Sequence, residues 1–90
     1  PAVSRDLAIL VKKDIAHADV LAALAGVSPL LQSMELFDVY EGEGVSAGHK
    51  SMAYHFVYKS LERTLVAEEV DKAHELIVKI LKEKFGASVR

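Results

Sequence analysis

The chain has 90 residues, of which 51% are hydrophobic and 27% charged, and its formal net charge is −2. This composition is typical of one globular domain and excludes a disordered or low-complexity chain. The lack of cysteine excludes a disulfide scaffold and a thiolate zinc site and indicates a reducing, cytoplasmic location. The net charge argues neither for nor against nucleic acid, but a freestanding nonspecific RNA-binding protein would usually be basic, so we expect any RNA contact to be local.

The first half of the chain predicts a strand, a short helix and a second strand. Arg5–Lys12 is a near-continuous apolar stretch, as expected for a central strand of a sheet. Ala18–Ala25 consists of strong helix formers and is followed by Gly26, a residue that often ends helices. Met34–Tyr40 predicts the second strand.

The third strand, Ser51–Lys59, follows a loop that contains three glycines, and the two strands predict a β-hairpin. Alternation along the third strand indicates which face is buried. Its large apolar side chains share the core face: Met52, Tyr54, Phe56 and Tyr58. Its small and polar side chains share the other face, which we call the open face: Ser51, Ala53 and His55.

The second strand has a phase conflict, because a single alternation cannot bury all of its apolar residues. A β-bulge near Glu35–Leu36 would resolve the conflict by shifting the alternation by one residue. We therefore predict that Phe37 and Val39 point into the core and that Asp38 and Tyr40 lie on the open face.

The last third of the chain predicts one long amphipathic helix, Ala67–Phe85, followed by Gly86. Residues Ala87–Arg90 could form a final edge strand. The element order β-α-β-β-α-β predicts an α+β, ferredoxin-like sandwich, in which two helices cover one face of an antiparallel sheet. We expect residues 1–90 to form one domain, and a start at Pro1 rather than methionine suggests a piece of a longer protein.

Catalytic and metal-binding motifs are not found in the sequence. The four histidines have no metal-ligand spacing, and no nucleophile elbow or phosphate-binding loop is present. No apolar run is long enough to span a membrane. We therefore predict a binding domain with no enzymatic activity, no cofactor, no metal and no membrane partner.

The open face offers the chemistry that reads an unpaired guanine. A carboxylate such as Asp38 can accept hydrogen bonds from the guanine N1–H and N2–H, and a ring such as Tyr40 can stack on a base. Ser51, Ala53 and His55 would lie beside them. Exposed residues of these types are often simply solvated, and the same holds for basic residues that could contact phosphate, Arg5 and Lys50 among them.

Several segments resemble one family, in order and spacing, from Pro1 to Arg90: PAVSRDLAILV, ELFDVYEGEGVSAGHKSMAY, RTLVAEEV and KEKFGASVR. The chain is similar to the ferredoxin-fold anticodon-binding domain at the C-terminus of the bacterial phenylalanyl-tRNA synthetase β subunit. The resemblance implies that the domain docks on the anticodon stem-loop of tRNA-Phe. It also implies a parent enzyme that uses ATP and Mg²⁺, in which the rest of the β subunit and a catalytic α subunit are partners.

The resemblance also implies roles for individual residues. Asp38 and Ser51 match the family positions that contact the first anticodon base, a guanine, and Tyr40 matches a neighbour of the anticodon loop. Two other functions of the same fold remain open. One is a regulatory domain that binds an amino acid between paired copies; the other is a domain that docks on another protein through its open face.

Overall fold

Four strands and two helices make up the fold, in a computed structural model that describes residues 1–90. They are β1 (Val3–Lys12), α1 (His17–Leu24), β2 (Leu31–Tyr40), β3 (His49–Tyr58), α2 (Ala67–Phe85) and β4 (Ser88–Val89). The sheet order is β2-β3-β1-β4, and every neighbouring pair is antiparallel. The ferredoxin-like βαββαβ fold predicted from the sequence is thus confirmed. No helix has the length and apolar character needed to cross a membrane.

The core lies between one face of the sheet and the two helices. Along β3 the four large side chains predicted to point inward, Met52, Tyr54, Phe56 and Tyr58, are at most 1% exposed. Helix α1 contributes Val20 and Leu24 to the core, and α2 contributes a stripe with helical spacing: Val70, Ala73, Ile77 and Leu81. Because both helices pack on the same side, the other side of the sheet remains the open face.

Each helix is joined to β3 by a tyrosine–histidine pair. The Tyr54 hydroxyl lies 2.9 Å from Nδ1 of His17, and the Tyr58 hydroxyl lies 3.2 Å from Nδ1 of His74. These contacts satisfy two hydroxyls that the core would otherwise leave without a partner. Burial raises the pKa of each tyrosine to about 12. Burial, followed by the nearby Arg5 guanidinium, lowers the pKa of His74.

Strand β2 differs from the prediction in its fine structure. The predicted bulge exists, but it lies between Leu36 and Asp38, one residue later than expected, and a second bulge lies between Leu31 and Ser33. Phe37 is the extra residue of the bulge between Leu36 and Asp38. The prediction that Phe37 is inward is therefore wrong, since its side chain is 54% exposed. Val39 pairs with Met52 on the helix side as predicted, yet it stays 49% exposed because β2 is an edge strand.

Candidate nucleic-acid interface

The open face carries three rows of side chains that run across β2, β3 and β1. The strand register aligns Tyr40, Ser51 and Leu10 in a tyrosine row. The next row, the aspartate row, holds Asp38, Ala53 and Ala8. The third, the glutamate row, holds Glu35, His55 and Asp6. The sequence thus brings Asp38, Tyr40, Ser51, Ala53 and His55 to one surface.

The aspartate row is the lowest part of this surface. Ala53 and Ala8 have only methyl side chains, so the row provides a flat floor beside Asp38. Asp38 is exposed and takes part in none of the ion pairs in the structure. Its carboxylate is therefore free to accept hydrogen bonds from a ligand that rests on the two alanines.

The Tyr40 ring is fixed by the loop that follows β2. Its hydroxyl donates a hydrogen bond to the carbonyl oxygen of Glu43, with an O···O distance of 2.9 Å. Gly42 lies beside the hydroxyl end of the ring with φ +137°, and a Cβ atom there would lie 3.3 Å from the tyrosine hydroxyl oxygen. A glycine at this position therefore lets the loop pass close to the ring without strain.

Arg90 reaches onto the tyrosine row from the opposite edge of the sheet. Its backbone N–H donates to the Ala8 carbonyl at 2.9 Å, and its guanidinium carbon lies 5.2 Å from the centroid of the Tyr40 ring. This is the geometry of a cation–π contact. Tyr40 comes from β2 and Arg90 follows β4, so the contact joins opposite edges of the sheet. Ser51 pairs with Tyr40 in the tyrosine row and is only 3% exposed.

The glutamate row is polar and is bordered by an aromatic ring. His55 Nδ1 lies 2.5 Å from a carboxylate oxygen of Asp6, so that His55 is already paired within the chain. Glu35, His55 and Asp6 together with Phe37 line a shallow hollow of about 270 Å³. Phe37 therefore points toward the open face.

The structure does not bring Arg5 and Lys50 to the open face. Arg5 pairs with the buried Phe56 and Lys50 with the buried Val11, which places both on the helix side of the sheet. The Arg5 guanidinium lies 3.3 Å from the Asp71 carboxylate on α2.

The sequence pattern does not identify two residues of this surface. A bulge near Glu35–Leu36 turns Phe37 toward the core, whereas the observed bulge, one residue later, leaves Phe37 on the open face. Arg90 carries no signal of its own, since only the short β4 brings it beside β1. No three histidine, aspartate or glutamate side chains lie close enough together to hold a metal ion.

Comparison with known proteins gives one consistent result. A family model described as the ferredoxin-fold anticodon binding domain matches residues 1–90. The chain is 51% identical over 92 residues to a phenylalanine–tRNA ligase beta subunit of Streptococcus thermophilus, and 44% identical over 91 residues to that of Streptomyces avermitilis. The corresponding subunit of Shouchella clausii is 41% identical. Each match covers all of this chain but only 11% of the relative.

Proposed function

Because the chain belongs to the ferredoxin-fold anticodon-binding domain family, we propose that its open face binds the anticodon loop of tRNA-Phe and that Asp38 reads the first anticodon base, a guanine. The observation that carries the proposal is the free carboxylate of Asp38 beside the flat floor of Ala53 and Ala8, one row from the Tyr40 ring. A carboxylate, a floor and a stacking ring are the parts that a single unpaired base requires.

Guanine is distinguished from the other bases by the edge that Asp38 faces. Its N1–H and N2–H are adjacent donors, and the two carboxylate oxygens can accept both hydrogen bonds at once. Adenine presents an acceptor at N1 and would leave one carboxylate oxygen opposite a lone pair. The unpaired acceptor makes the wrong base unfavourable, so the contact supplies specificity as well as affinity.

Ser51 is only 3% exposed, so its hydroxyl reaches a base only after neighbouring side chains on the open face move. The Arg90 guanidinium lies over the Tyr40 ring, and its movement would free one side of that ring for stacking. The guanidinium would then be free to approach an RNA phosphate, an anion that arginine binds well.

The activity of the whole protein is a further part of the proposal. The chain spans about a tenth of the length of the beta subunits that it matches. We propose that its parent is a cytoplasmic phenylalanine–tRNA ligase, in which this domain only binds RNA. ATP and Mg²⁺ would act in the catalytic α subunit, and the domain would hold the tRNA together with the rest of the β subunit.

Chemical-shift mapping of the backbone amides tests this function. The chain is titrated with a tRNA-Phe anticodon stem-loop, and then with the same loop carrying adenine at the first anticodon position. We expect shifts centred on Asp38, Tyr40 and Ser51 that weaken with adenine. Shifts spread over lysines and arginines and indifferent to the base would mean electrostatic attachment only, and would refute guanine reading.

A further inference from the structure

Phe37 is an aromatic ring on the open face with no packing partner in the core. It occupies the bulge between the glutamate and aspartate rows and is 54% exposed. Its ring borders the hollow of about 270 Å³ whose other walls are Glu35, His55 and Asp6. An exposed ring directly beside Asp38 is placed to contact whatever ligand approaches that carboxylate.

The walls of the hollow favour a nucleobase over a phosphate. Two of the four lining residues are carboxylates and none is lysine or arginine, so an anion would be repelled. The carboxylate oxygens can instead accept hydrogen bonds from an exocyclic amino group, while the phenylalanine ring stacks on the base. Adenine, cytosine and guanine carry such an amino group, and uracil does not.

The spacing of the rows suits successive nucleotides. Side-chain rows on one face of an antiparallel sheet are about 7 Å apart, which is two residues of strand. Open four-stranded sheets that bind unpaired RNA use aromatic side chains to stack two or three bases side by side. Tyr40 and Phe37 are two such rings on one face, on opposite sides of Asp38.

We propose that Phe37, together with Glu35, His55 and Asp6, forms a second base subsite. It takes an amino-bearing base adjacent to the guanine held at Asp38. The inference rests on the proposed function, because the RNA must already lie on the open face. It adds a second, chemically distinct preference to the single base contact of Asp38.

The test measures the affinity of the chain for anticodon stem-loops by fluorescence anisotropy. Phe37→Ser removes the ring, and Val39→Ser is the matched control. Val39 is similarly exposed on the same strand but pairs with Met52 on the helix side. We expect Phe37→Ser to raise Kd roughly 5- to 150-fold, the range for loss of one base–aromatic stack. The control should change Kd less than twofold.

A second series alters the RNA and leaves the protein intact. The nucleotide on each side of the first anticodon base is made abasic in turn. On one side the abasic loop should bind the parent chain as weakly as the intact loop binds Phe37→Ser, and the variant should lose nothing further. Uracil at that position should also bind more weakly than adenine. If both abasic loops bind the parent chain normally, or if Phe37→Ser binds like Val39→Ser, the second subsite is refuted.

The same titrations separate this inference from the proposed function. If replacing the first guanine by adenine weakens binding while Phe37→Ser has no effect, Asp38 reads its base and the second subsite does not exist. If the parent chain does not distinguish guanine from adenine, or binds neither loop, the proposed function fails and the subsite with it.

Discussion

Replacing Gly42 by alanine should disturb the ring of Tyr40. Gly42 has φ +137°, and a new Cβ would lie 3.3 Å from the tyrosine hydroxyl oxygen and 3.6 Å from the carbon that bears it. Keeping this backbone conformation in a non-glycine residue costs about 1–3 kcal/mol. The new Cβ would also push the loop away from the ring, and loss of the hydrogen bond from Tyr40 to Glu43 would add about 0.5–1.5 kcal/mol. We expect this additional loss, beyond the backbone strain, to be near 1 kcal/mol.

Thermal and urea unfolding measure this loss. For a chain of this size about 1 kcal/mol corresponds to a fall in melting temperature of roughly 4–8 °C. Gly44→Ala is the matched control, since Gly44 also has a positive φ of +88° but no atom within 4 Å of a new Cβ. Gly42→Ala should also weaken binding of the guanine-bearing loop, whereas Gly44→Ala should not.

A double-mutant cycle with Tyr40→Phe isolates the contact. Removing the hydroxyl removes the close approach, so the additional penalty of Gly42→Ala over Gly44→Ala should disappear in that background. If Gly42→Ala is no worse than Gly44→Ala, or if its penalty is the same with and without the hydroxyl, Gly42 does not position Tyr40.

Three further predictions concern charges away from the open face. Because the pKa of His74 is lowered in the folded chain, the unfolded chain takes up this proton at a higher pH than the folded chain does. The free energy of unfolding should therefore fall as the pH drops below about 6.5. His74→Gln should reduce this fall. The hydrogen bond from Arg63 lowers the pKa of Glu69 to about 2, so Glu69→Gln should lose stability at neutral pH and approach the parent chain as both are acidified below about pH 4. Arg5→Gln should leave the preference for guanine unchanged in binding titrations, because Arg5 pairs with Asp71 on the helix side.

The sequence determines the architecture because its strongest patterns are long and consistent. The alternation along β3 predicted the buried and open faces, and α2 has the predicted bounds of Ala67–Phe85. Both patterns extend over at least eight residues and join a single core, so a local irregularity cannot reverse them. The position of Asp38 on the open face follows from the bulge predicted in β2 and not from a continuous alternation.

The details that the sequence could not provide depend on single residues. A bulge at Phe37 and a bulge at Glu35–Leu36 give the same orientation to Asp38 and Tyr40, but opposite environments to Phe37. Alternation alone cannot distinguish these two bulge positions, because Leu36 and Phe37 are both apolar and neighbouring residues. The contact of Arg90 with Tyr40 joins opposite edges of the sheet and leaves no local pattern. The burial of Ser51, which is only 3% exposed, could not be predicted from the alternation either.

Discrimination between guanine and adenine at the first anticodon position, measured for the parent chain and for Asp38→Ala, tests the central claim most directly. The ratio of the two Kd values should favour guanine in the parent chain. Asp38→Ala should reduce this preference by about 1–3 kcal/mol, the range for one bidentate base contact, with little change in melting temperature because Asp38 is exposed. An unchanged ratio in Asp38→Ala would show that Asp38 does not read the base.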